Sequence, residues 1–473
     1  MSQILLIDIP LYRKAVSTEY LPIWRGMGRA EALIQSQRLI ETRHMHNNSG
    51  RLLVYSRGVL QMASILLAEG HSVEYLSVLD PAFWNTLHER AARFDMVGVT
   101  CMTASYHVLK RACSVVREHN TKAIIVAGGY HVRYLAEAVL DDCPAIDVIV
   151  HGDGDESLPQ IVRRFPAIDD VPGVTYRTCD GSIRATSEAR FLSMNQVPPP
   201  AFHLLPHPLR RYFHNLISTR GCKYDCAYCI DGYLPLRYAS VERTIRELEY
   251  MQSQLDEGTM VYFADNVFSS NRRRMIDLAR AIRARVPHLR FGCELRAEDV
   301  DDEIIQELVA ANFILFSTAI EDSNDATLYT VKRPLSLDKS TAALETIRRH
   351  SDALISVAWV TGMPGSTRER LEHNVQNVRY LMREQIVDQI INQVFIPYPG
   401  TDPFEKPADF GITLNNAPWS DYDRLSYPVY DLPELSSLDI YEYFLQTDRA
   451  ILQEHALRLG TTAEALSVEG IAT

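Results

Sequence analysis

Short apolar segments alternate with amphipathic segments along most of this chain, and this alternation restricts its fold more than any other feature. The apolar segments 3–9, 96–102, 122–129 and 146–154 predict strands. Segments with helical periodicity lie between them and after them. Strand–helix repeats of this length predict a parallel sheet with helices on both faces. Ligands of such sheets bind beyond the carboxyl ends of the strands, so the turns after these strands are candidate binding loops.

A proline-rich segment separates this first block from a second one. Residues 166–209 include three consecutive prolines at 198–200, and we expect a linker with an extended backbone there. Six further strand–helix units follow within residues 210–401, enough for a partial (β/α)6 barrel but fewer than the eight of a closed barrel. The sequence therefore predicts an α/β chain with a Rossmann-like domain at 1–165, a partial barrel, and a short, mainly helical C-terminal segment at 402–473.

Composition excludes several classes of protein. The 473 residues are 46% hydrophobic and 23% charged, as in ordinary globular proteins, and the net charge of −12 disfavours a nucleic-acid partner. Asp8 interrupts the N-terminal apolar run, which indicates a buried strand and not a signal peptide. The chain contains no apolar stretch of the roughly 18–20 residues that a membrane span needs. We therefore expect a cytoplasmic protein without a membrane span.

Three of the eight cysteines fall within eight residues, as Cys222, Cys226 and Cys229. Three thiolates can hold three irons of a 4Fe–4S cluster and leave the fourth iron open to a substrate or cofactor. The alternative is a zinc site with His214 as a fourth ligand, although structural zinc sites normally use paired C-x2-C motifs. The spacing favours the cluster.

The segment "RGCKYDCAYC", with the aromatic Tyr228 before its third cysteine, resembles the signature of radical S-adenosylmethionine (radical SAM) enzymes. Later segments resemble other landmarks of that family in the same order, over about residues 210–405: "YFADNVFSSN", "CELRAEDVD", "STAIEDSND", "VTGMPGSTRE" and "PYPGT". Three positions depart from the family pattern: Ala319, Asp322 and Ser366. The resemblance implies a 4Fe–4S cluster on the three cysteines and S-adenosylmethionine on the open iron.

The resemblance also implies cofactor contacts in the second domain. Arg296 is the candidate cation for the carboxylate of S-adenosylmethionine, because a guanidinium can hold a carboxylate through two hydrogen bonds. Glu321 and Asp265 are candidate acceptors for its ammonium or ribose hydroxyls, and Gly362 permits close approach of the adenine. Tyr228 of the cysteine loop is a further candidate cofactor contact. Other roles stay open: Arg296 could pair with Glu294 or Glu298, Asp265 could cap the next helix, and Gly362 could only form its turn.

The first domain resembles the cobalamin-binding domain that precedes many radical SAM enzymes. The similar segments are "VGVTCMTAS", "IIVAGGYHV" and "IDVIVHGDGDESL". In such domains the nucleotide tail of cobalamin lies beside the sheet, with glycines leaving room for it and hydroxyls bonding to it. The candidate contacts are Thr100, Thr103, Ser105, Gly128, Gly129, Gly152 and Gly154. The alternative is a Rossmann-like domain whose glycines only form turns.

One class of cobalamin enzyme supplies an axial histidine from a D-x-H-x-x-G motif after the first strand. The loop at 10–49 lacks this motif, and its His44 and His46 have a different spacing. We therefore expect cobalamin with its base off and without a histidine ligand.

These cofactors predict methyl transfer to an unactivated carbon, or to phosphinate phosphorus, of a small metabolite. Rearrangement, cyclisation or ring contraction without net methylation is the first alternative, and a cobalamin-binding sensor is the second. Methylthiolation is disfavoured, because the first domain has no cysteine set for a second cluster. We expect a reductant such as flavodoxin or ferredoxin as a partner, and the sequence assigns no catalytic side chain.

Overall fold

The computed structural model describes residues 1–9, 55–205, 213–255, 260–332 and 335–458. They form two compact units: the described residues up to 205 make the first, and those from 213 onward make the second.

The first unit contains a mixed sheet. Its seven strands within the described residues lie in the order β2-β1-β3-β4-β5-β6-β7, and β1 to β5 run parallel. The strands are β1 (Gln3–Ile9), β2 (Ser72–Ser77), β3 (Met96–Cys101), β4 (Ile124–Gly128), β5 (Val148–Val150), β6 (Val174–Arg177) and β7 (Ile183–Ala185). The helices are α1 (Arg57–Ala68), α2 (Phe83–Arg90), α3 (Tyr106–His119), α4 (Tyr130–Tyr134), α5 (Ala136–Asp142) and α6 (Ser157–Arg164).

Strands β6 and β7 lie inside the segment expected to be a linker. They form an antiparallel hairpin that continues the sheet from β5. Val174 and Tyr176 belong to the buried core of the first unit, and Thr175 between them is buried as well. Asp180 and Gly181, with Gly181 at φ +86°, form the turn. An Asp-Gly pair between alternating residues is a hairpin signal that the prolines obscured in the sequence.

The second unit contains a parallel sheet in the order β15-β14-β13-β12-β11-β8, counted over the described chain. Its strands are β8 (Phe213–Leu216), β11 (Met260–Phe263), β12 (Arg290–Glu294), β13 (Phe313–Glu321), β14 (Leu354–Thr361) and β15 (Gln389–Val394). Two short hairpins pair β9 (Thr219–Arg220) with β10 (Arg237–Tyr238), and β16 (Thr413–Leu414) with β17 (Tyr430–Asp431). The six parallel strands match the predicted partial barrel.

Helices follow the strands of this second sheet. They are α7 (Val241–Gln254), α8 (Arg272–Arg285), α9 (Asp302–Ala310), α10 (Asp325–Thr330), α11 (Leu337–His350), α12 (Arg368–Arg383), α13 (Asp402–Glu405) and α14 (Ser437–Arg458). Side-chain caps begin several of them; Ser240, for example, accepts a hydrogen bond from the backbone N–H of Arg243. In the described chain, no helix combines the length and the apolar character that crossing a lipid bilayer requires.

Asp8 lies on β1 with no exposed surface. The backbone N–H of Ser56 donates to its Oδ2 at 2.8 Å, and the Tyr75 hydroxyl donates to the same oxygen at 2.7 Å. Burial raises the pKa of Asp8, while the bonds from Ser56 and Tyr75 oppose that rise. A buried carboxyl group needs such donors, because leaving it unpaired is costly.

We expect Tyr75→Phe to lower the free energy of unfolding by about 1–3 kcal/mol, because it removes a donor from a buried acid. The control is Tyr106→Phe, which removes a 2.8 Å hydrogen bond to the exposed Asp142. Denaturant unfolding followed by circular dichroism measures both losses. Equal losses in the two variants would show that the burial of Asp8 does not set the size of the effect.

Candidate functional site

The cysteine loop begins at a clamped backbone segment. The carboxylate of Asp265, just after β11, accepts hydrogen bonds from the backbone N–H groups of Ser218 and Thr219, and from the Ser218 hydroxyl. The guanidinium of Arg274 donates to the Ser218 carbonyl at 3.1 Å. Burial raises the pKa of Asp265, and the hydrogen bonds from Ser218 and Thr219 counteract this. Asp265 therefore positions the loop.

The loop then folds back on itself at Gly221. Gly221 has φ +76°, and a Cβ atom there would lie 2.3 Å from the carbonyl oxygen of Pro235. Only glycine tolerates both this backbone conformation and this close approach. The backbone N–H of Cys222 points to the carbonyl of Leu234 across the same fold, at 3.4 Å.

The three cysteines line one cavity at the carboxyl ends of the barrel strands. Among its other lining residues are Tyr224, Tyr228, Asn266, Val267, Leu295, Arg296, Ala319 and Glu321. Within the described residues, no three metal-binding side chains converge on a single ion. Three thiols that line a cavity suit an iron–sulfur cluster, because each thiolate of such a cluster holds a different iron. His214, the fourth ligand of the zinc alternative, lies buried on β8 and does not line this cavity.

Burial raises the pKa of the Cys229 thiol to about 12 and also raises that of Cys222. Metal ligation needs thiolates, and the positive charge of bound metal stabilises them against this burial. The donor set therefore fits an iron–sulfur cluster with one open coordination position.

Glu321 faces this cavity from a strained position. It ends β13 at φ +69°, next to an irregularity in the pairing with β14, and it is 8% exposed. Non-glycine residues in left-handed conformations cost about 1–3 kcal/mol and cluster at functional sites. The Tyr228 hydroxyl donates to its Oε1 at 2.9 Å, so a residue of the cysteine loop orients the carboxylate.

Arg296 lines the same cavity from the loop after β12. Its guanidinium carbon lies 3.5 Å from the ring centre of Tyr224, a close cation–π contact. Its Nη2 also pairs with Glu298 at 2.7 Å, so one of the structural roles left open by the sequence is realised. Tyr224 was not among the predicted contacts, although its position between Cys222 and Cys226 was a signal that it faces the site.

Two residues expected to contact S-adenosylmethionine are used elsewhere. Asp265 does not line the cavity and bonds to the loop backbone instead. Gly362 has φ +81°, and a Cβ there would lie 2.4 Å from Ile440 and 2.7 Å from the Tyr430 hydroxyl. That hydroxyl donates to the Gly362 carbonyl. The space beside Gly362 is therefore filled by the C-terminal segment, and the expected adenine contact stays a prediction.

A second cavity lies at the carboxyl ends of β1, β3, β4 and β5, within the first unit. Five of the expected cobalamin contacts line it: Thr100, Gly128, Gly129, Gly152 and Gly154. A Cβ on Gly128 would meet no atom within 4 Å, so this glycine leaves open space. Gly129 has φ +102°, and a Cβ there would lie 2.5 Å from the Cys101 carbonyl oxygen. The cradle fits a ligand that lies against bare backbone.

Thr103 and Ser105 do not line this cavity. Both are buried in a short turn after β3, and the Ser105 hydroxyl bonds to the backbone N–H and carbonyl of Met102, each at 3.2 Å. Ser105 thus caps the turn that leads into α3, and its expected contact with the nucleotide tail stays a prediction. His44 and His46 lie outside the described residues, so the base-off expectation stays a prediction.

Comparison with known proteins identifies both units. The model of the B12 binding domain matches residues 48–162, and that of the radical SAM superfamily matches residues 216–378. The chain therefore carries a B12-binding domain followed by a radical SAM domain. The predicted family, α/β fold class, type of enzyme and cofactors are confirmed. The roles of individual site residues stay predictions.

The sequences related to this radical SAM enzyme are distant, but the matches cover most of its chain. An uncharacterized methyltransferase of Pyrococcus horikoshii is 22% identical over 401 residues, covering 81% of this chain and 84% of its own. Anaerobic magnesium-protoporphyrin IX monomethyl ester cyclase of Rubrivivax gelatinosus is 23% identical, and the match covers 67% of this chain and 59% of that protein.

A solved structure supports the fold. The radical SAM methyltransferase TsrM of Kitasatospora setae, with cobalamin and a [4Fe-4S] cluster bound, superposes with a TM-score of 0.64 at 17% identity. The match covers 90% of this chain and 85% of that one.

The glycines of the B12 cavity give a matched pair of variants. We expect Gly129→Ala to lower stability by about 1–3 kcal/mol, because its φ and the Cys101 carbonyl exclude a side chain. Gly128→Ala should fold normally but bind cobalamin more weakly, since its methyl group enters open space. Unfolding curves and cobalamin titrations separate the two effects. Undiminished cobalamin binding by Gly128→Ala would contradict the assignment of this cavity.

The cysteine loop makes a separate prediction. Replacing Cys222, Cys226 and Cys229 by Ala should remove the roughly four irons and sulfides of a cluster but leave cobalamin bound. The control Cys179→Ala, at an exposed cysteine, should keep its iron. Metal analysis of anaerobically purified protein measures both, and stoichiometric zinc in place of iron would refute the cluster.

Proposed function

We propose that this enzyme transfers a methyl group from S-adenosylmethionine to an unactivated carbon, or to phosphinate phosphorus, of a small metabolite. The observation that carries the proposal is the three-cysteine cavity lined by Arg296 and Glu321, in a chain that also has a B12-binding domain. The Pyrococcus relative and TsrM are both named methyltransferases, which supports methyl transfer over the other reactions of this class.

Bound cobalamin would serve as the methyl carrier, and a cluster held by the three cysteines would supply the electron for radical formation from S-adenosylmethionine. The protein's own residues bind and orient. Cys222, Cys226 and Cys229 hold three irons, while Arg296 binds the carboxylate of S-adenosylmethionine. The carboxylate of Glu321, oriented by Tyr228, accepts from its ammonium or ribose hydroxyls. The apolar lining by Val267, Leu295 and Ala319 excludes water, which would otherwise quench reactive species.

The cellular setting belongs to the same proposal. Radical chemistry of this kind consumes an electron, so we include a reductant such as flavodoxin or ferredoxin as a partner. Free cysteines, five of them buried in the described chain, fit a reducing cytoplasm.

The second candidate is a radical rearrangement or cyclisation without net methylation. The cyclase of Rubrivivax gelatinosus among the relatives favours it. The sensor alternative lacks such support, because a sensor of cobalamin has no use for the cysteine cavity and its strained Glu321.

Product analysis tests methyl transfer. The reconstituted, reduced enzyme is given S-adenosylmethionine with a deuterated methyl group and a metabolite extract of its source cells. We expect a product that carries the deuterated methyl group, with S-adenosylhomocysteine and 5′-deoxyadenosine in about equal amounts, because each cycle uses one molecule for each purpose. The triple cysteine variant should make no 5′-deoxyadenosine. If the extract elicits 5′-deoxyadenosine while S-adenosylhomocysteine stays at background, the enzyme catalyses a rearrangement instead.

A further inference from the structure

The C-terminal segment passes over the end of β15, the last strand of the barrel sheet. The backbone N–H of Val394 donates to the carbonyl of Arg424 at 2.5 Å. The ring of Phe395 packs edge-on against Tyr430 of β17 at 5.6 Å. Arg424 is therefore held at the carboxyl end of the sheet, where ligands of parallel α/β sheets bind.

Alternation along β15 defines the side on which Arg424 lies. Asn392 turns toward α14 and donates to the Phe444 carbonyl at 3.0 Å. Gln393 and Phe395 point to the opposite face, and the Phe395 ring lies 6.2 Å from the ring of Tyr228 in the cysteine cavity. Nη1 of Arg424 donates to the Gln393 side chain at 3.3 Å. Arg424 thus borders the cofactor side of the sheet.

The side chains that contact the Arg424 guanidinium, Gln393 and Tyr398, are uncharged. Besides its hydrogen bond to Gln393, Arg424 contacts the ring of Tyr398, whose centre lies 6.0 Å from the guanidinium carbon. No carboxylate of the described residues lies within ion-pair distance of Arg424, and the ion pairs found in the described part of the second unit involve other cations. Arg424 has protein atoms around it but keeps solvent-accessible surface, so donors of the guanidinium remain available to a ligand.

The charges around Arg424 agree with this position. Burial by surrounding protein lowers the pKa of Arg424, but Tyr398, Glu321 and Cys229 together hold it above its ordinary value. Glu321 and Cys229 both line the cysteine cavity. Glu321 itself is engaged by Tyr228.

We propose that Arg424, supported by Gln393 and Tyr398, binds an anionic group of the methyl acceptor, a carboxylate or a phosphate. The inference rests on the proposed function, since it assigns the acceptor to this cavity. A guanidinium binds planar anions through two parallel hydrogen bonds, and the neutral Gln393 and Tyr398 fix its position without neutralising it. Arg296 serves the carboxylate of S-adenosylmethionine, so the two cations divide two anions between them.

Arginine modification tests the site without knowledge of the acceptor. Holoenzyme saturated with S-adenosylmethionine is treated anaerobically with phenylglyoxal, and each arginine is followed by peptide mass spectrometry. Inorganic phosphate and succinate are the anion probes. We expect each to slow modification of Arg424 at least fivefold, and to leave Arg449 unaffected. Arg449 is an exposed arginine on α14 of the same segment. Absence of protection by either anion would overturn the proposal.

Variants distinguish the acceptor from the cofactor as the source of the anion. Arg424→Gln and Arg424→Lys should keep iron and cobalamin, and should bind S-adenosylmethionine within twofold of the unchanged enzyme and of the control Arg449→Gln. If S-adenosylmethionine alone protects Arg424 and Arg424→Gln binds it more than tenfold more weakly, Arg424 belongs to the cofactor and the proposal is wrong.

The failure of methyl transfer has a different signature. Protection of Arg424 by anions together with 5′-deoxyadenosine but no S-adenosylhomocysteine would keep the anion site and refute only the proposed reaction. Arg424→Lys controls for folding, because it keeps the charge while shortening the donor fork.

Discussion

The buried carboxylate of Asp265 determines where the chemistry of this enzyme can occur. It binds the backbone of Ser218 and Thr219, and Arg274 binds the carbonyl of Ser218, so the start of the cysteine loop is fixed from two sides. A cluster needs its three thiolates in a fixed arrangement, and a loop anchored in this way can provide it. An ionised group in the core stabilises a unique loop geometry only because its oxygens are hydrogen-bonded.

The sequence predicted the fold because the signals for it are local. Each barrel strand is a short apolar run followed by an amphipathic helix, and Cys222, Cys226 and Cys229 lie within one loop. The hairpin of β6 and β7 shows where such reasoning weakens. The prolines near residue 199 suggested extended chain, yet Asp180 and Gly181 form a turn and the flanking residues pair with the sheet.

Site residues were harder to predict, because a position at a strand end does not determine which way a side chain turns. Asp265 and Ser105 both lie where ligands bind, but each bonds to nearby backbone that would otherwise remain unpaired. Tyr430 and Ile440, which lie at least 68 positions further along the chain, exclude a side chain at Gly362. Contacts at that separation leave no mark in local periodicity.

The same limit explains why Arg424 carries no sequence signal. It belongs to a segment without a recognisable motif, and it reaches the cofactor side of the barrel only because Val394 and Phe395 hold the segment at the end of β15. The cluster loop and the strand ends provide machinery that any radical SAM reaction needs. Discrimination between acceptors therefore has to come from residues that this machinery does not use. Arg424 meets that requirement, since its contacts are with Gln393 and Tyr398, whereas Glu321 bonds to Tyr228 and Arg296 pairs with Glu298.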